Sequence, residues 1–120
     1  MGLFARLFGR KSASQPTAEH AVTVHFDYGT TDLGPLLALQ HQLERAVSDA
    51  GVGEVDGNEV AVSGKDGFLF LYGPDVDRLF AVVRPLLEQS TAIRNAVATV
   101  RYGPPEDGVR SVIVPLERQA

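Results

Sequence analysis

The chain has 120 residues, of which 44% are hydrophobic and 22% charged, the profile of one globular domain able to bury a core. It holds no cysteine, which excludes disulfide scaffolds, thiolate metal sites, iron–sulfur clusters and thiol nucleophiles. A formal net charge of −4 weighs against a basic nucleic-acid-binding protein.

That charge is unevenly spread. Arg6, Arg10 and Lys11 make the start basic, and the segment from Asp49 to Asp77 sets Glu54, Asp56, Glu59, Asp66 and Asp75 against Lys65 alone. After Asp77 the cations are all arginine, which suits pairing with carboxylates or phosphates.

Residues 1–18 read as a flexible segment and residues 19–120 as a single α+β domain. Leu3, Phe4, Leu7 and Phe8 share one face of a short helix, with Arg6 away from that face and Arg10 near its margin, and Ser12–Thr17 is linker-like. Residues 1–11 are too short to span a bilayer and lack a secretory cleavage pattern. They suit a weak peripheral membrane contact or a docking peptide, and a cytoplasmic location is expected.

Val22, Val24 and Phe26 alternate with Thr23, His25 and Asp27, which predicts a strand over 21–27. A turn follows, and a helix capped by Asp32 buries Leu36, Leu39, Leu43, Val47 and Ala50 before Gly51 ends it. A second strand spans 54–63, with a turn or bulge at Asp56-Gly57-Asn58, and Gly64–Gly67 forms a tight hairpin connection. Phe68–Tyr72 is the strongest strand in the chain. A second helix begins at Gly73-Pro74-Asp75 and aligns Val76, Leu79, Phe80, Val83 and Leu87, with Pro85 expected to kink or end it. Strands over 95–102 and 109–116 complete the chain.

The order β-α-β-β-α-β plus a final β is that of a ferredoxin-like, split β-α-β sandwich. It implies an antiparallel sheet with two helices on one face. The third strand is then central, and Phe68, Phe70 and Tyr72 share one of its sides.

Lys65, Gly67, Phe68 and Phe70 resemble the third strand of an RNA-recognition motif, and that resemblance implies bases stacked on the rings. Asp66, Leu69 and Thr23 depart from the motif, and the acidic surroundings repel phosphate. The runs Leu71–Phe80 and Val100–Pro105 resemble small uncharacterised bacterial proteins with a β-α-β-β-α-β pattern, a resemblance that implies no activity and no site residues.

His25 and Asp27 point the same way on one strand, so an imidazole oriented by a carboxylate is a candidate general base. No nucleophile or oxyanion hole accompanies them. Asp56, Glu59 and Asp66 are oxygen donors of the type a hard cation prefers, without EF-hand spacing. The helix start at Asp75 and Asp77 already has its positive end occupied by acids, which disfavours a phosphate there.

The expected function is therefore a non-enzymatic cytoplasmic interaction module, with no cofactor and no metal. Its candidate face is Thr23, His25, Phe68, Phe70, Tyr72 and Arg101, or else an edge strand, and it binds a protein partner or a second copy as a homodimer. The alternatives are a small-molecule-sensing dimer, a nucleic-acid-binding domain, and a small enzyme using His25 and Asp27.

Overall fold

The computed structural model describes residues 19–116; the apolar and basic stretch at 1–11 lies outside them. The elements run β1 (His20–Asp27), α1 (Gly34–Ala50), β2 (Glu54–Val60), β3 (Asp66–Gly73), α2 (Val76–Gln89), β4 (Arg94–Arg101) and β5 (Ser111–Pro115). The strands form one sheet in the order β2-β3-β1-β4-β5, and every neighbouring pair is antiparallel. This is the ferredoxin-like α+β fold, with β5 added beside β4.

Strand alternation decides the two faces. Val22, Val24 and Phe26 of β1, Leu69 and Leu71 of β3, and Ala98 and Val100 of β4 are buried beneath the helices. Leu36, Leu39, Leu43 and Val47 of α1 and Val76, Leu79, Val83 and Leu87 of α2 meet them in one core.

Both helices are held at their ends. At the start of α1 the expected Asp32 side-chain cap is not the whole device: Asp32 Oδ1 accepts from the Gly34 amide at 3.0 Å, while Leu33 occupies the cap position. The buried Tyr28 hydroxyl supplies the rest, accepting from the Leu36 amide at 3.2 Å and donating to the Asp32 carbonyl at 2.6 Å. At the far end the Gly51 amide bonds the Ser48 carbonyl and the Val52 amide bonds the Val47 carbonyl, with Gly51 in the left-handed region at φ 66°, a Schellman close. Val52 is thereby buried and Ala50, expected on the apolar stripe, is exposed.

Three expectations are corrected here. α2 does not stop at Pro85 but continues to Gln89, because Leu87 beyond it is buried and Pro85 sits on the exposed side. An ion pair from Arg84 to Glu88 spans the same turn at 2.8 Å. Strand β2 ends at Val60 rather than Ser63, since the Ala61 amide bonds the Asp66 carbonyl and the Gly64 amide turns back to Ala61. β5 begins at Ser111, two residues later than the pattern indicates.

Candidate functional site: the helix-free face of the sheet

The register lays the helix-free face out in rows across the five strands. One row reads Glu54, Tyr72, Ala21, Arg101 and Ser111; the next reads Gly57, Phe70, Thr23, Thr99 and Ile113. The third reads Glu59, Phe68, His25, Val97 and Pro115. All six residues of the sequence-derived candidate face (Thr23, His25, Phe68, Phe70, Tyr72 and Arg101) therefore lie on one surface. Five of them cluster on β1 and β3, and Arg101 sits across Ala21 on β4.

The aromatics form a column along β3. Phe68 and Phe70 have ring centroids 6.0 Å apart and planes only 15° from parallel. The His25 ring lies 4.8 Å from Phe68, which continues the column sideways onto β1. Phe68 is 37% exposed, a large apolar side chain at the surface of an otherwise well-buried strand.

His25 is not paired with Asp27. Its Nε2 lies 2.9 Å from Oδ2 of Asp66, while Asp27 Oδ2 accepts from Asn95 Nδ2 at 2.8 Å. The cause is the register: Asp27 stands opposite Asp66 and His25 opposite Phe68, so Asp66 is the diagonal cross-strand neighbour of His25, within reach of both side chains. A bulge between His25 and Asp27 on the β4 side, with Asn95 at φ 51°, brings the Asn95 amide onto Asp27. The same-strand dyad is thus replaced by a cross-strand pair.

Charge is graded across the surface. Glu54 and Glu59 on β2 stand beside the aromatic column, Asp66 closes its end along β3, and Arg101 marks the other side. The Arg101 Nε donates to the Gly103 carbonyl at 2.6 Å, which fixes its stem toward the loop joining β4 to β5. A shallow cleft between that loop and the sheet is lined by Thr23, Thr99, Arg101, Asp107, Val109 and Ser111. Two further members of this surface are absent from the sequence-derived candidates: Asp66 as the partner of His25, and Ile113, which is 68% exposed in the second row. The alternation Ser-Val-Ile-Val-Pro carried the signal for Ile113, whereas Asp66 needed the β1–β3 register.

The other candidates are less productive. Among the described residues no group of three or more His, Cys, Asp or Glu side chains is placed to hold a metal ion, so Asp56, Glu59 and Asp66 do not converge on a cation site. At the start of α2, Asp75 accepts from the Asp77 and Arg78 amides and His20 Nδ1 accepts from the Val76 amide at 3.0 Å, leaving no free donor cluster for an anion. No helix among the described residues is long and apolar enough to cross a membrane.

No protein-family model matches the chain, and no curated protein matches it.

Proposed function

We propose that the protein is a non-enzymatic interaction module whose helix-free sheet face docks another protein. The single observation that carries this reading is the Phe68–Phe70 column, flanked by the His25 ring and bordered by Glu54, Glu59 and Asp66. Aromatic anchors give docking energy, and a charged rim steers and orients the partner. The partner chemistry this favours is a segment with apolar side chains for the column and lysine or arginine for the acidic border. The same border argues against nucleic acid, because stacked bases would bring phosphates to carboxylates. The His25–Asp66 pair is assigned to the rim of that face. A cytoplasmic setting remains part of the proposal.

Affinity capture with immobilised full-length protein tests the reading, followed by calorimetry with the purified captured protein. Replacing Phe70 with Ser is expected to weaken that binding by at least about tenfold, equivalent to about 1.4 kcal/mol. Binding unchanged in both Phe68→Ser and Phe70→Ser would remove the face from consideration.

One observation favours a second reading. The cleft lined by Thr23, Thr99, Arg101 and Ser111 offers hydroxyls and a guanidinium together with the carboxylates of Glu106 and Asp107, a composition suited to a small polar metabolite that carries both charges. A thermal-shift screen that finds a metabolite whose effect disappears in Arg101→Ala would move the assignment toward a ligand sensor.

A further inference from the structure

The two edges of the sheet are built differently. Along β2 the strand is bulged between Val55 and Gly57, with Gly57 at φ 144°, and Glu54, Asp56 and Glu59 line it. Bulges, charges and proline are the usual protections of an edge against pairing with another chain. β5 has no bulge, and its one proline, Pro115, stands at its end. It reads Ser-Val-Ile-Val-Pro, has no charged residue, and pairs with β4 in continuous register.

The backbone of β5 has a defined free side. The Tyr102 amide bonds the Arg110 carbonyl at 2.9 Å and the Leu116 amide bonds the Ala96 carbonyl at 2.8 Å. Alternation between these two bonds assigns Val112 and Val114 to the β4 side of the ladder. The N–H and C=O groups of Ser111 and Ile113, and the C=O of Pro115, therefore point outward. No described strand lies beyond them, and Ser111, Ile113 and Pro115 are all exposed.

We propose that β5 pairs antiparallel with β5 of a second copy about a two-fold axis between the two Ile113 residues. In that register the two Ile113 residues exchange a reciprocal pair of N–H···O=C bonds. Ser111 faces Pro115 of the other copy and donates its N–H to the proline carbonyl. Pro115 has no N–H to give, so the Ser111 carbonyl opposite it has no donor across the pair, and its place at the exposed end of the paired stretch leaves that Ser111 carbonyl in water. The side chains are also self-complementary: Ile113 meets its own copy on the helix-free face, and Val112, 36% exposed, meets Val114 on the helix face.

A second copy fits this edge because nothing on it repels itself, whereas two β2 edges would set carboxylates against one another. The pairing is isologous and closes on itself. It leaves only the guarded β2 edges at the ends of a ten-stranded sheet, so assembly stops at the dimer. It also joins two helix-free faces side by side, each with its own aromatic column. This inference does not depend on what binds that column.

The test is the native mass of the full-length protein by light scattering over a wide range of concentration, with amide hydrogen exchange on the same samples. The expected result is a reversible dimer in which the Ser111 and Ile113 amides exchange at least about tenfold more slowly than in the dilute monomer. Ile113→Lys, which sets two ammonium groups at the axis, and Ile113→Pro, which removes the outward N–H and the isoleucine contact at the axis while sparing the N–H bonds to β4, are both expected to weaken the dimer at least about tenfold. Phe70→Ser is expected to leave it intact, which separates the edge from the face. A single-chain mass at every concentration overturns the inference. So does a dimer that loses nothing in either Ile113 variant, or one in which the Ser111 and Ile113 amides stay unprotected; the exchange measurement on the unmodified chain decides the matter if a variant fails to fold.

Discussion

Nε2 of His25 and Oδ2 of Asp66 lie 2.9 Å apart across the β1–β3 ladder, at the acidic margin of the aromatic column. Their side chains are 43% and 32% exposed, so water screens the pair and its share of fold stability is small, about 0–1 kcal/mol. His25→Ala and Asp66→Asn are each expected to shift the urea midpoint only slightly. A loss above about 2 kcal/mol in either variant would make the pair a strut of the fold instead of part of a surface. Under the proposed function the same two variants weaken partner binding more than they weaken the fold.

Tyr28 joins the end of β1 to the first turn of α1, and its hydroxyl is both donor and acceptor there. Tyr28→Phe keeps the ring in its edge-on contact with Phe26 but leaves the buried Leu36 amide without its acceptor. An orphaned buried donor costs about 1–3 kcal/mol. Equilibrium denaturation is expected to show a loss of that size with no change in the slope of the transition.

Pro85 sits inside α2 without ending it. It withholds an amide from the Ala81 carbonyl, and its ring crowds the preceding turn. Because the position is exposed, Pro85→Ala restores the bond without disturbing the core, and a gain of about 1–3 kcal/mol is expected. A destabilised variant would show that the proline directs the path of the last turn.

Tyr102 gives a pH-dependent prediction. Its hydroxyl donates to Asp77 Oδ1 at 2.7 Å, and this bond, helped by desolvation and the Asp77 charge, raises its pKa above the ordinary 10.0 against an opposing pull from Arg110. The folded value exceeds the unfolded one, so the contribution of this contact is complete below pH 10 and disappears as pH rises through the raised value. Ultraviolet titration of tyrosinate is expected to show a late-ionising component that shifts back toward 10 in Asp77→Asn.

The fold was legible in the sequence wherever one element reported on itself. The alternation of Phe68, Phe70 and Tyr72 with Leu69 and Leu71 stated which residues share a side, and the leucines lie under the helices as the apolar stripes of α1 and α2 require. What local pattern does not encode is register between distant strands. The partner of His25 depends on whether Phe68 or Asp66 stands opposite it, a relation across 41 positions, and the nearer Asp27 was the natural candidate. Tyr28 was hidden for a similar reason. Within a turn it looks like any residue after a strand, and its capping role exists only once α1 packs back over it.

β1 stands at the centre of the sheet, and its two partners are far from it along the chain: Val22 lies opposite Leu71 on one side and Val100 on the other. The β2–β3 and β4–β5 ladders, by contrast, close over short connections and can begin to form by themselves, although a two-stranded hairpin is only marginally stable in water. Joining them requires closing long loops onto β1 before its buried side chains repay the lost chain entropy. The rate-limiting step in refolding is therefore expected to be the insertion of the first strand between two preformed ribbons. Substitutions such as Val24→Ala should slow folding more than equally destabilising changes in β5.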